Sequence, residues 1–211
     1  MNYLARTILF LLLSHICLMS IAYAQGIENN SYVDANLLEA RSMTIIGSST
    51  LHDWEVEATD FSVQFRVPEY WFESQERWSG SDVAGLRVTV PVDELDGGKN
   101  KMNRDLKDAL NFPEYQTIEF TWEKISFSGD IDTGRRAEVE GLVTIAGETK
   151  MISFNADISL NEWSQIVAKG SVRLNMEEFG IKPPTAFLGV IRTDEIVNLS
   201  FELFFGGRVD K

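Results

Sequence analysis

Residues 152–176 read ISFNADISLNEWSQIVAKGSVRLNM, and their spacing decides the fold class. Ile152, Phe154, Ala156, Ile158 and Leu160 occupy every second position. After a short polar break, Ala168, Gly170, Val172, Leu174 and Met176 do the same. A period of two puts apolar side chains on one face of an extended chain and polar ones on the other. The break, Leu160-Asn161-Glu162-Trp163-Ser164, carries turn residues and is too short for a crossover, so the two strands pair antiparallel.

The same rhythm runs through most of the chain. Met43 and Ile45 alternate, as do Trp54, Val56 and Ala58. Leu86, Val88, Val90 and Val92 follow, then Ile118, Phe120 and Trp122. Val139, Val143 and Ile145 form another face, and Val197, Leu199, Phe201, Leu203 and Phe205 the last. Twice the parity flips: around Thr59-Asp60, ahead of Phe61, Val63, Phe65 and Val67, and between Trp122 and Ile125. A flip marks an inserted residue, a bulge that bends a strand as barrel closure requires. About eight strands are expected. Met102, Leu106 and Leu110 alone show helical spacing, framed by Gly97-Gly98 and Pro113. Tyr70–Gly85 is a longer, aromatic-bearing insertion. Eight antiparallel strands stack as a sandwich or close into a barrel, and periodicity does not choose between them.

Composition excludes several functions. The 211 residues carry 19 basic and 32 acidic side chains, and their 44% apolar content with 13 Phe and 5 Trp supports a real core. Met1–Ala24 reads as a cleavable signal peptide, with Arg6 at its start, an apolar run, and Ala22-Tyr23-Ala24 before a cut after Ala24. A periplasmic or secreted protein is expected. Residues 25–40 are read as a polar lead-in and 41–207 as the barrel domain. Beyond Ala24 the charge is −14, with no cysteine and one histidine, His52. Thiol nucleophiles, disulfides and zinc clusters are therefore excluded, and nucleic acid is repelled. No cofactor or metal is expected, nor stable membrane insertion; a homodimer stays open.

No catalytic constellation stands out. Ser48, Ser49 and Asp53 surround His52, but neighbours on a strand face opposite ways. Asp93, Glu94 and Asp96 form an acidic group, read as a solvated turn. Asp130-x-Asp132-x-Gly134 opens like a calcium loop, but its twelfth position is Gly141, where a bidentate Glu is needed. Lys99, Lys101, Arg104 and Lys107 make a small basic island. The small residues Ala156, Ala168 and Gly170 sit on otherwise bulky faces, which either leaves a cavity or matches large residues opposite.

Several stretches together resemble the YceI-like family. Gly47-Ser48-Ser49-Thr50-Leu51-His52-Asp53-Trp54 is similar to its opening strand, and Leu86–Leu95, LRVTVPVDEL, to a core strand. Met102–Phe120 resembles its helix and following strand. Val139–Lys150, VEGLVTIAGETK, resembles a family hairpin, and Phe179-Gly180-Ile181 with Glu195-Ile196-Val197 the closing segment. The match spans about residues 43–205. Tyr70–Gly85 has no counterpart in the resemblance, and Gln116 stands where the family often has proline. The resemblance implies an eight-stranded antiparallel lipocalin-like β-barrel with one short helix. It also implies an isoprenoid or other long-chain lipid, such as a quinone tail, held inside.

A hydrocarbon chain needs a dry tunnel rather than catalytic groups. Trp54, Phe120, Trp122, Phe179, Ile181 and Phe187 are the expected lining residues. The leading reading is thus a non-catalytic carrier. One alternative is a filled barrel that docks a partner through the aromatic loop 70–85. Another is an enzyme using His52 or the Asp93/Asp96 pair.

Overall fold

The computed structural model describes residues 31–129, 135–186 and 191–207. The signal peptide, the calcium-like tip and Phe187 lie outside these residues.

Eleven strands form one antiparallel sheet, and eight of them close on themselves. β1 (Tyr32–Ser49) is followed by β2 (Trp54–Ala58) and β3 (Ser62–Pro68). β4 (Gly85–Pro91) and the short β5 (Leu95–Asp96) precede helix α1 (Asn100–Ala109). β6 (Thr117–Ser128), β7 (Arg135–Ile145), β8 (Glu148–Leu160), β9 (Ile166–Asn175), β10 (Thr185–Ala186) and β11 (Ile191–Gly206) complete the chain. The ring runs β1-β3-β4-β6-β7-β8-β9-β11, and β11 pairs back onto β1. Closure removes both sheet edges, which settles the choice between sandwich and barrel.

Both parity flips coincide with breaks in pairing. β2 pairs with the upper half of β1 and β3 with its lower half, so the two act as one strand bent at Thr59–Phe61. On β6 the register slips between Trp122 and Lys124. β1 itself begins at Tyr32, where Tyr32–Ala35 pair with β3, and from Asn36 the strand pairs with β11. The lead-in expected over residues 25–40 is therefore cut short. Val33, Ala35 and Leu37 already alternate inward, and register slips at Leu37/Glu39 and Ala40/Ser42 restore the same parity by Met43. Outward positions are polar and exposed, among them Glu138, Asn155, Asp157, Lys169 and Arg173.

The insertion after β3 closes one end of the barrel. Pro68 ends the strand and two 3-10 turns, Glu69–Phe72 and Gly80–Asp82, fold the chain back under it. Trp71 is fully buried, stacks on Trp78 at 4.9 Å and meets Phe65 edge-on at 6.1 Å. The Trp78 indole N–H donates to the Trp71 carbonyl (3.1 Å), and Arg135 donates to the carbonyls of Trp78 (2.6 Å) and Glu76 (3.2 Å). The backbone N–H of Leu160 donates to Gln75 Oε1, tying the insertion to β8. This corrects the idea of an aromatic docking loop: Trp71, Phe72, Trp78 and Val83 point inward and are buried, because the barrel end gives them an apolar surface to cover.

Helix α1 lies at the other end. Its half-buried Met102, Leu106 and Ala109 face the barrel, and Leu110 follows, buried. Asn103 fastens its first turn: its side-chain oxygen accepts from Gly97 N–H (2.7 Å) and its amide donates to Asp96 (2.8 Å). A Gly98 N–H also donates to Asp96 (2.8 Å). These two hydrogen bonds hold the Asp96 carboxyl below its usual pKa, Asn103 contributing most. One wall is looser. β8 and β9 pair only from Asn155↔Ser171 to Leu160↔Ile166, and above that level the turn Met176–Phe179 packs against β8 and β11.

Candidate functional site

A cavity of about 690 Å³ occupies the barrel. That lies within the range of small-molecule pockets. On β7 the inward positions run from Ala137 to Ile145 without a bulge. At ~3.3 Å per residue and a strand tilt of roughly 40°, the lumen is about 20 Å deep.

Its walls change character from bottom to top. The floor is Phe65, Trp71, Val83, Phe127 and Phe205. At mid-height the walls are Phe120, Phe154 and Phe201, joined around the barrel by Met43, Ile45, Val63, Leu86 and Val88. Near the top come Trp54, Ile152, Leu174, Met176, Phe179 and Ile181. Among the described residues, the polar ones that border the cavity lie at the mouth: Ser49, His52, Lys99, Lys101, Asp105, Thr185 and Thr193. A hydrocarbon placed here meets carbon along its length and water-accessible groups at one end.

The mouth groups are held by local bonds. Ser49 Oγ donates to the His52 carbonyl (2.7 Å) and accepts from the His52 N–H (3.2 Å), which shapes the Ser49–His52 turn. His52 Nδ1 lies 2.9 Å from the Asp53 carbonyl oxygen. The Trp54 indole donates to the Ser48 carbonyl (3.2 Å), and its ring covers Gly47, where any Cβ would collide with it. Lys101 pairs with Asp105 one turn along α1. Half of the basic island thus faces the mouth; Arg104 is exposed, and Lys107 lies over the Phe112 ring at 5.3 Å.

Four of the expected lining residues, Trp54, Phe120, Phe179 and Ile181, meet in the lumen. Trp122 does not. It is half-buried against the core and borders a second depression with Leu37, Leu86 and Arg87. Phe154, Phe201 and the floor aromatics were not singled out beforehand. Their inward parity was readable, but not that their faces border empty space.

Ser49, Glu94 and Asp96, at or beside the candidate catalytic residues, are engaged in local hydrogen bonds. The Ser49 hydroxyl serves the His52 backbone rather than its ring. The carboxylate of Glu94 accepts from Thr59 Oγ1 (2.8 Å) and that of Asp96 from Asn103, so both fasten β2, β5 and α1 together. Among the described residues, no three His, Cys, Asp or Glu side chains come together as a metal site. Likewise among the described residues, no helix is long and apolar enough to cross a membrane. At the floor, burial and the Asp82 carboxylate raise the Tyr70 phenol above its ordinary pKa, while Arg77, 4.5 Å over its ring, acts the other way.

A family model described as YceI-like domain matches residues 41–205. No curated protein matches the sequence. Among solved structures, BcnA of Burkholderia cenocepacia aligns with a TM-score of 0.64 at 15% identity, covering 81% of this chain and 99% of that one. A polyisoprenoid binding domain from Saccharophagus degradans, implicated in plant cell wall breakdown, aligns at 0.57 and 11% identity, covering 85% and 100%. A Campylobacter jejuni YCEI protein aligns at 0.55 and 17% identity, covering 74% and 85%. At such identities the likeness is one of fold.

Proposed function

The chain belongs to the YceI-like family, and from that premise we propose that it is an exported, non-catalytic carrier of one long-chain lipid, a polyisoprenoid or quinone-like molecule. The observation that carries this reading is the lumen: lined almost wholly by apolar residues, floored by Trp71 stacked on Trp78, with the polar residues of its lining gathered at the mouth. The tail points to the floor, and the headgroup rests among His52, Lys99 and Lys101. The polyisoprenoid-binding neighbour of the same fold supports the choice of ligand. The leader-like Met1–Ala24 supports export.

The energetics are adequate without a strong polar contact. Each buried methylene contributes ~0.8 kcal/mol, so a tail of about twenty carbons gains on the order of 16 kcal/mol gross. Ordering the chain and losing its free motion take back several kcal/mol.

The test is native mass spectrometry of protein purified from its own host, followed by organic extraction. One lipid bound per chain is expected, and it partitions into the organic phase. Protein that is ligand-free at every expression level counts against the reading.

A further inference from the structure

Helix α1 is cationic in an acidic chain. Lys99, Lys101, Arg104 and Lys107 stand against Asp105 and Asp108 in and beside it, while the residues beyond Ala24 sum to −14. Met102, Leu106 and Ala109 turn toward the barrel and border the cavity. At about 3.6 residues per turn, Arg104 and Lys107 fall on the opposite face. Arg104 is exposed, and the Lys101 side chain is 71% exposed. The helix thus lies on the opening by its apolar side and shows cations on its outer side.

Beside it on the same rim stands Leu51, 65% exposed although it borders the cavity. It sits in the turn that leads into β2, and β2 pairs with β5, the strand just before α1. The turn is braced. Ser49 Oγ accepts from the Leu51 N–H (3.3 Å) and the His52 N–H (3.2 Å). Thr50 N–H donates to the Arg192 carbonyl (3.0 Å), and Thr50 Oγ1 accepts from the Arg192 N–H (3.2 Å), which ties the turn to β11. These bonds keep an apolar side chain in water, which is unfavourable until something covers it. The rim at β9 and β11 is acidic, with Glu177 and Glu178 exposed on the turn after β9 and Asp194 exposed on β11.

We infer that the mouth docks on an anionic lipid bilayer, through the outer face of α1 and the Leu51 tip, and that ligand is exchanged while docked. Cations at the level of the headgroup phosphates beside one apolar tip suit such a surface. A stable protein partner needs about 800 Å² of contact from each side, and Leu51 stands alone among charged neighbours. The acidic remainder of the chain is repelled by the same bilayer, so the α1 side is the one that approaches. The exchange step rests on the tail-binding reading above. A tail that crosses water gives up its burial methylene by methylene. A mouth pressed on a bilayer passes it from one apolar medium to another.

The test is flotation of the purified full chain with phosphatidylcholine vesicles, with and without phosphatidylglycerol at about one lipid in three. The wild type is expected to bind the anionic vesicles about tenfold more tightly than the neutral ones, and to be released by about 0.5 M salt. Arg104→Glu combined with Lys107→Glu weakens that binding about tenfold, and Leu51→Ser about fivefold. Arg104→Gln, expected to weaken it about threefold, carries the test if the double variant does not fold. In parallel, protein loaded with tritiated geranylgeraniol is mixed with the same vesicles. Transfer should quicken as anionic vesicles are added and slow in the double variant, whose load without vesicles matches the wild type's. Equal flotation on both vesicles, folded variants that float like the wild type, or a transfer rate indifferent to vesicle amount overturns the inference and leaves the carrier reading standing. Flotation with host membranes but not with protein-free vesicles assigns the face to a membrane protein, and overturns it too. A wild type that retains no geranylgeraniol overturns the carrier reading, and the exchange step with it.

Discussion

At the floor of the barrel, Trp71 stacks on Trp78, Arg135 caps two carbonyls, and the insertion is tied down through Gln75. At the mouth, a single helix of ten residues lies over the opening on half-buried side chains, held at its start by Asn103 and Asp96. The two ends use similar lengths of chain and do opposite things. The floor is dry and cross-linked, so it belongs to the stability of the barrel. The mouth is polar and lightly fastened, so under the carrier reading it is the end through which a ligand would exchange. In a two-ended container, the end with fewer buried contacts is the one that opens.

The largest effect expected is at the floor. Trp71→Ala should lower unfolding free energy by about 3–5 kcal/mol, as for other fully buried tryptophans. Urea denaturation reads this, and a loss under about 1 kcal/mol would make the floor a covering rather than a structural base. Next comes the contrast within β6. Phe120→Ala should cost about 3 kcal/mol of lipid affinity or stability combined and release bound lipid. Trp122→Ala should leave the lipid load unchanged in native mass spectra, because that residue does not border the cavity. Equal lipid loss in both would erase the distinction between their positions.

At the mouth the effects are smaller and kinetic. Leu106→Ala removes a half-buried contact and should cost about 1 kcal/mol of stability. Its signature is faster lipid exchange, measured by transfer to acceptor vesicles. Exchange that speeds up equally in a floor variant of similar stability would deny the mouth its special role. The smallest effect concerns Asp96. Hydrogen bonds from Asn103 and Gly98 depress its folded pKa, so its contribution is present above the ordinary carboxylate range and is lost as pH falls through the depressed value. Exchange should therefore quicken on acidification, and Asp96→Asn should flatten that dependence. An unchanged pH profile in the variant would remove Asp96 from the fastening of α1.

Much of the fold was legible in the sequence. The alternation of Ile152–Leu160 and Ala168–Met176 gave two strands and their facing. The parity flips before Phe61 and Ile125 correspond to real interruptions in pairing. What alternation cannot say is whether a face meets another face or a void. Phe154 and Phe201 read as ordinary core, but both border the cavity. Trp122 shares the parity of Phe120 and packs against the core, yet it does not border the cavity, and the pairing slips just after it. The aromatics of 70–85 looked like a docking loop, because a loop without periodicity carries no signal of direction. Val33, Ala35 and Leu37 were too short a run, among too many polar neighbours, to announce an early start for β1.

A crystal structure of the protein isolated from its own host bears most directly on the idea of a greasy tail enclosed by the barrel. The account predicts continuous, elongated density that starts near His52 and Lys99, passes the Phe120–Phe154–Phe201 strip and ends against Trp71. Density showing side chains folded across the lumen, or only scattered water between mouth and floor, would contradict it.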